Sequence, residues 1–593
     1  MKKEGNYAAF IVSLVIVGML VLFYAVVCCI ISLSWFYSFE EITTWKTNKT
    51  PFFQEGLQRY DRSITTSAYQ FSKYLAAVLW VGLGFIIYFF VRYRERFIYK
   101  IKQLSLFCSK EVVRSLQVIE SLTKEKKYSF FFIIIISFGL RCYHYFYMPV
   151  HVDELMNYYF FVDKGFLLTS IYYPFPNNHV FFSYVYWFFS HFIDDPILAG
   201  RLPSIIFFHI MLILLFIGLS RYVKNYTVAL FSVIFCAFLF PSSVYAVEAR
   251  GYALLSLLTL LAAFSLLAGI EKKSKEAFVI FTIASILGAF TVPIFFIPFV
   301  SFMFYGTFQS LLQKDKMLFS NLIKSGIWTG LGVLLCYLPL FIFSGIESVT
   351  ANETVLPIQA GNFYSYIFPV ASAEILSYLA GTRTKGWLIF LIVGLLGLFM
   401  LPKSDQRVKN WFFLTAFILG TVFLYALLSR SFMFQRTLTY TTYFLYSSAA
   451  IVVFYWVKKI ARRQIIRLIV SFALALMVLV ISFFQYQHNV FEPSLLPTTF
   501  YNKLEEHFTK AVVDESSVFF GVTTEYIHVL LFYQYLTDKY HTDPKPVDEF
   551  QQADFFVIEA DSPDMNSYNL NKFSICDSLP SEVNFLVPLI ICR

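Results

Sequence analysis

The amino-acid sequence predicts a polytopic α-helical membrane protein, and three observations predict it. Of the 593 residues, 58% are hydrophobic and 14% charged, where a soluble domain carries about 25% charged residues. Apolar runs long enough to cross ~30 Å of hydrocarbon recur along the chain, and its mean hydropathy is +0.64. Phe and Tyr are abundant, at 72 and 40 residues, which suits lipid-facing helices with interfacial aromatic belts. The net charge of +9 sits in short loops between apolar runs. That is a topology signal and excludes a nucleic-acid footprint.

Taken in order, Lys2 and Lys3 precede an apolar run, Tyr7–Phe36, too long for a signal-peptide core and read as a retained span. A second span covers about Tyr74–Val91. The segment from Arg92 to Lys127 then holds ten Lys and Arg against four acids, which places it in the cytoplasm by the positive-inside rule. The third span, Tyr128–Tyr147, therefore runs outward, and His151-Val-Asp-Glu154 emerges outside. Val180–Ile193 is about 14 residues, short for a crossing, and reads as a helix lying in the outer interface. Later spans are Leu202–Leu219, Val228–Tyr245 and Ala253–Ile270, a pair turning at Thr291-Val-Pro293, then Ile327–Ile346. Trp387–Leu401, Trp411–Leu428, Tyr443–Val457 and Leu468–Phe484 complete thirteen. Each inner loop so assigned is basic, which puts the N-terminus inside and the C-terminus outside. The domains read as 1–127, two spans and a basic cytoplasmic segment; 128–485, a transmembrane core; and 486–593, an outer domain.

That last region begins with prolines at Glu492-Pro-Ser and Leu496-Pro-Thr, which interrupt any helix leaving the membrane. Helices at Tyr501–Val513 and Glu525–Tyr540 and strands at Ser517–Val522 and Ala553–Ile558 describe a small α/β unit. It carries no nucleophile elbow, P-loop or metal motif and reads as a cover over the outer loops. Of the eight cysteines, most lie in apolar runs as ordinary small hydrophobes. Cys576 and Cys592 lie in the polar outer region, where a disulfide is plausible chemistry.

Polar residues able to do chemistry gather in the outer loops. Ionisable groups at a membrane boundary are costly unless solvated, paired or in use. Asp153 and Glu154 are neighbours, so on a helix they point about 100° apart, and one of the two is expected at a reacting centre. Glu248 and Arg250 form either a structural ion pair or part of a site, and share one side only if their turn is extended. Arg201 either anchors a helix start or binds substrate. Asn178, His179, Tyr252 and Arg436 lie in loops on the same predicted face. Carboxylates facing cations there could activate a hydroxyl and hold a phosphate.

The order Asp153-Glu, Pro176-Asn-Asn-His179, Gly200-Arg-Leu-Pro-Ser204 and Pro241-Ser-Ser-Val-Tyr-Ala-Val-Glu-Ala-Arg-Gly-Tyr252 resembles the GT-C glycosyltransferases. The similarity is to the branch holding protein O-mannosyltransferases and the lipid A aminoarabinose transferase, and covers roughly residues 128 to 485. It implies a GT-C-like core and inverting transfer of a sugar from a polyprenyl-phosphate donor to a lipid, glycan or protein acceptor on the outer membrane face. It implies Asp153 as base, with Glu154 beside it, and Glu248 as the second-loop acid. Asn178, His179, Arg201, Arg250, Tyr252 and Arg436 become substrate ligands. A divalent metal ion, held by Asp153 and Glu248, is the one cofactor implied. Two departures stand out: Asn178-His179-Val180 replaces His-Pro-Pro, and Arg436-Thr-Leu-Thr-Tyr440 replaces Arg-Tyr. The rival readings are a transporter or flippase of a lipid-linked sugar, and a non-catalytic assembly subunit. Against a carrier, the spans hold few ions apart from Arg141 and His144.

Overall fold

The computed structural model describes residues 4–47, 66–148, 150–174, 177–350, 357–382, 385–461 and 463–486, with short C-terminal pieces at 508–509, 513, 518–521, 527–539, 555–559, 576–579 and 589–592. Helix dominates it. In chain order the helices are α1 (Glu4–Phe36), α2 (Phe39–Thr47), α3 (Thr66–Arg92), α4 (Arg94–Glu120), α5 (Lys124–Tyr147), α6 (Val152–Asn157), α7 (Gly165–Ile171), α8 (Val180–Phe189), α9 (Pro196–Tyr222) and α10 (Tyr226–Phe238). There follow α11 (Tyr252–Lys272), α12 (Lys275–Thr291), α13 (Phe296–Gln313), α14 (Lys316–Phe343), α15 (Phe368–Leu379), α16 (Trp387–Met400), α17 (Gln406–Ser429), α18 (Tyr440–Ile460), α19 (Gln464–Tyr486) and α20 (Ile527–Lys539).

Nine of the described helices are long and apolar enough to cross a membrane: α1, α3, α5, α9, α11, α13 with the turn before it, α14, α17 and α19. The thirteen expected from the sequence are thus met by nine on length and composition. The expected fifth span differs most. It stops at Phe238 instead of continuing to Tyr245. Pro241 has no N–H to extend the helix. Ser242 and Ser243 donate their hydroxyls back to the carbonyls of Cys236 and Phe238 at 2.8 and 3.3 Å, filling acceptors the helix end leaves open. The apolar run continues, but the chain has already turned. Likewise the interfacial helix expected over Val180–Ile193 is ten residues long and ends at Phe189.

The core is one continuous apolar cluster centred on α9 and α11, through Phe208, Leu212, Leu215, Leu255 and Leu266, closed by Trp411 and Phe444. Lipid-length helices at the periphery keep apolar side chains outward, as with Phe85 and Ile135, because an all-round apolar helix has no water-facing side to satisfy. The first two spans pair with each other and pack on α14, with Ile30, Tyr69, Ile171 and Phe343 in one small cluster.

In the C-terminal pieces, β1 (Val518–Gly521), β2 (Phe555–Glu559), β3 (Cys576–Leu579) and β4 (Leu589–Cys592) form a sheet in the order β1-β2-β4-β3. The β1–β2 pair is parallel and the other two are antiparallel. The register sets Cys576 opposite Cys592; the side chains that a disulfide would join lie outside the described residues, as do the prolines at 493 and 497 and most of the 501–513 helix. Helix α20 packs on α6: Tyr159 donates its hydroxyl to Asp538 Oδ2 at 2.6 Å, and Tyr535 to Asp195 Oδ2 at 3.2 Å.

Candidate active site

Helix α6 begins where the sequence places two acids in a first turn, a position favoured by the helix dipole. His151 caps it. Its Nδ1 accepts the Asp153 N–H at 3.3 Å, while Glu154 Oε2 accepts the His151 N–H at 3.0 Å, a reciprocal cap. A single π turn, Tyr158–Val162, follows. On this short helix Asp153 and Glu154 diverge and enter two separate networks.

Glu154 is wholly enclosed. Its Oε1 accepts from Arg201 Nε at 2.9 Å and from the Ala249 N–H at 2.8 Å, and Oε2 from Arg201 Nη2 at 2.7 Å. Arg201 Nη1 donates to the carbonyls of Met148 (2.8 Å) and Tyr145 (3.3 Å). The rest of Gly200-Arg-Leu-Pro-Ser204 serves the same end. Ser204 donates to the Glu248 carbonyl at 2.8 Å. Gly200 lies where any Cβ would strike the Tyr186 ring and Ala249, so only glycine lets α9 approach the 248–250 loop this closely. Asn157 of α6 donates to the Ala249 carbonyl at 3.1 Å. The Ala249 peptide is therefore gripped at both ends from α6, and its flanking side chains, Glu248 and Arg250, are aimed at Asp153. Glu154 and Arg201, expected from the sequence as catalytic and substrate-binding residues, pair with one another here and brace the loop.

Asp153 meets the second network. Its Oδ2 lies 2.5 Å from Arg250 Nη1 and 2.7 Å from Arg436 Nη1. Arg436 comes from the 3-10 turn Gln435–Leu438, and its side chain keeps 30% exposure where Arg250 keeps 3%. Arg250 also donates to Asn177 Oδ1, Asn177 donates to the Asp153 carbonyl at 3.2 Å, and the Arg250 guanidinium stacks over the Tyr252 ring at 5.0 Å. Burial pushes the Asp153 carboxyl up, but the guanidiniums of Arg250 and then Arg436 outweigh it and hold it at about 2. Glu248 goes the other way: burial raises it, with Asp153 and Glu154 adding repulsion against the attraction of Arg250. Its Oε2 is buried with no hydrogen-bond partner.

His179 is buried, and burial together with Arg250 holds its ring well below the usual histidine range. The ring is neutral. Its Nδ1 accepts the Gly251 N–H at 2.8 Å, so Nε2 carries the proton. The 3.4 Å approach of Arg250 Nη2 to Nε2 then sets donor against donor and is packing, not a hydrogen bond. A Cβ at position 251 would meet His179 Nδ1 at 3.0 Å, which explains glycine there. His179 thus orients the loop next to Arg250. Asn178 faces away from the acids: it donates to the Thr169 and Tyr172 carbonyls at 3.0 and 3.2 Å and accepts from Ser183. Its neighbour Asn177 is the residue that reaches Arg250.

His151, Asn177, Tyr245 and Tyr378, to which the sequence assigned no role, also line the site. His151 Nδ1 is 3.4 Å from Glu248 Oε1 and 3.7 Å from Asp153 Oδ2; its place two residues before Asp153, at a cap, was the available signal. Tyr378 donates to the Tyr245 hydroxyl at 2.9 Å, and Tyr245 and Tyr252 pack edge to face at 5.1 Å, forming an aromatic wall beside Glu248. For a divalent ion, His151, Asp153 and Glu248 bring one ligand atom each within 4.8 Å of one another. The unpartnered Glu248 oxygen suits a cation, and oxygen with imidazole ligands fits a borderline-hard divalent ion. These three are the residues that would hold such an ion.

Arg141 and His144 lie apart from this site. Both are buried in α5, where Arg141 Nη1 meets His144 Nδ1 at 2.8 Å and Nη2 donates to the Ala237 carbonyl at 2.6 Å. Comparison with known proteins identifies no relative: no family model matches the chain, and no curated protein matches it.

Proposed function

We propose that this protein is an inverting glycosyltransferase of the GT-C kind, moving a sugar from a polyprenyl-phosphate donor to an acceptor hydroxyl at the outer face of the plasma membrane. One observation carries the reading. From three segments far apart in sequence, Asp153 meets both Arg250 and Arg436, and a Glu248 oxygen lies within 4.8 Å of it. Such an arrangement pairs a base with cations able to hold a phosphate. In this reading the chain crosses the membrane thirteen times with its N-terminus inside. The C-terminal sheet and α20 belong to an outer α/β domain over the site.

Asp153 takes the acceptor's proton as the hydroxyl oxygen attacks the anomeric carbon. The carbon–oxygen bond to phosphate breaks on the opposite face, and its electron pair leaves with the polyprenyl phosphate. Arg250 and Arg436 hold that charge. A carboxyl held at about 2 is ionised but a weak base, and the same two arginines explain how it is strengthened. An incoming donor phosphate competes for their guanidiniums, and as they turn to it Asp153 recovers proton affinity. General-base assistance of this kind contributes roughly 10²–10⁴-fold. Glu248 faces the acceptor. His151, Asp153 and Glu248 are the residues that would hold a divalent ion, which would supply positive charge beside the phosphate.

The test is transfer of labelled sugar from a polyprenyl-phosphate donor by purified protein in lipid nanodiscs. Transfer by the wild type that disappears in Asp153→Asn is the expected result. Undiminished turnover in that variant removes Asp153 from the base role, and movement of the donor across a bilayer without transfer makes the protein a flippase.

A further inference from the structure

Helix α4 is unlike the rest of the described membrane region. It is 27 residues long, or ~40 Å, yet buries no residue completely. It follows α3 after a break at Tyr93 and precedes α5, both of spanning length. Glu111 pins its middle to the bundle, meeting Arg221 Nη2 at 2.5 Å and Lys272 Nζ at 3.0 Å. These cations lie in the last turns of α9 and α11. Four spanning helices thus begin or end at α4, which runs along one end of the bundle where helices leave hydrocarbon.

The exposed surface of α4 is both apolar and cationic. Tyr99, Leu106 and Val113, each seven residues from the next and so on one stripe, are 62, 44 and 52% exposed; Val112 and Leu116 are similarly bare. Arg92, Arg94, Arg96 and Lys100 cluster at its start, exposed, with Glu95 the one acid among them. None of these four cations pairs with a carboxylate among the described residues, whereas Glu111 is already taken by Arg114, Arg221 and Lys272. A helix facing water would not leave so much apolar surface uncovered. One lying in a membrane interface would do so, with cations at headgroup level.

We propose that α4 lies in the plane of one leaflet and binds anionic phospholipid headgroups through Arg92, Arg94, Arg96 and Lys100, with its bare apolar side chains entering the acyl boundary beside them. Charge complementarity selects anionic over zwitterionic lipid, each cation near an anionic surface favouring it by about fivefold.

The full chain is purified from mixed phosphatidylglycerol–phosphatidylcholine bilayers, and the lipid retained is counted by native mass spectrometry. The expected result is phosphatidylglycerol enriched at least about fivefold, falling to near parity in Arg94→Gln/Arg96→Gln/Lys100→Gln and falling also with added salt. In parallel, a bimane label on the exposed Cys108 of α4, read against Cys108→Ser, should be quenched by brominated acyl chains more than by iodide in water. Equal retention of the two lipids overturns the proposal, as does enrichment that survives the triple substitution and salt. Quenching by iodide alone, or a second copy or another protein cross-linked over α4, overturns it too. Should the triple variant not fold, the salt titration and the Cys108 label decide the matter on the wild type. Sugar transfer enters none of these measurements, so loss of the transferase reading leaves them intact.

Discussion

Asp153 and Glu154 are joined by one peptide bond and live in opposite surroundings. Glu154 has four donors on two oxygens, all from groups that are themselves fixed: a bidentate arginine and two backbone N–H groups. Asp153 meets two guanidiniums at one oxygen, and Arg436, the more exposed of them, is the freer to find another partner. A buried carboxylate with every lone pair matched by immobile donors is a structural clamp. One whose partners can be drawn away by a competing anion is available for chemistry. The difference shows that adjacency in sequence says little about shared role; the helix between Val152 and Asn157 is enough to separate them.

The largest expected effect tests the clamp. Glu154→Gln leaves Arg201 buried without its counter-charge, which costs about 3–5 kcal/mol. Thermal unfolding in detergent should show a strongly lowered midpoint and poor recovery of folded protein. A midpoint equal to wild type would erase the contrast drawn between the two acids. Asp153→Asn should do the reverse. Its Arg250 keeps Asn177 as a partner, so the midpoint falls much less than in Glu154→Gln, while transfer falls by roughly 10²–10⁴-fold. Equal loss of stability in both variants would make Asp153 a second clamp.

Arg436→Gln probes the exchangeable side of the Asp153 network. A lost charge-assisted contact to phosphate is worth about 1.5–3 kcal/mol, so the donor KM should rise roughly 10–100-fold with the unfolding midpoint nearly unchanged. An unaltered KM would leave Arg436 with no part in holding the donor.

The smallest effects are those of pH, and they have opposite signs for the two second-network acids. The Asp153 carboxyl is lowered in the fold from 3.8 to about 2. Its contribution to stability is therefore complete above about pH 4 and decays as pH falls toward about 2. The Glu248 carboxyl is raised from 4.5, so its contribution is complete below that value and is lost as pH rises through the raised one. Glu248→Gln should accordingly gain stability relative to wild type between pH 4 and pH 7, read from urea midpoints at each pH. A relative loss over that interval would mean that Glu248 is ionised and paired.

Much of the architecture was legible because hydrocarbon imposes length and water imposes charge. The long apolar runs became α1, α3, α5, α9 and α11, and the basic stretch between the second and third spans became α4, a helix too charged to enter the bilayer. The fifth span was overread because hydropathy does not register a backbone that turns: the residues after Phe238 stay apolar while Pro241, Ser242 and Ser243 end the helix. At the site, Asp153, Glu248, Arg250 and Arg436 stood out by charge. Asn177 and His151 lay in the same stretches but drew no role, since an amide and a cap residue look the same in any loop.

By itself the sequence determined a many-helix membrane protein and the residue types available for acid–base and phosphate chemistry, because composition and period follow from solvent alone. Only the tertiary structure decided which acid is locked and which is open. That depends on whether Arg201 or Arg250 arrives from elsewhere in the chain, and it is settled by the close approach of α9 to the 248–250 loop that Gly200 permits.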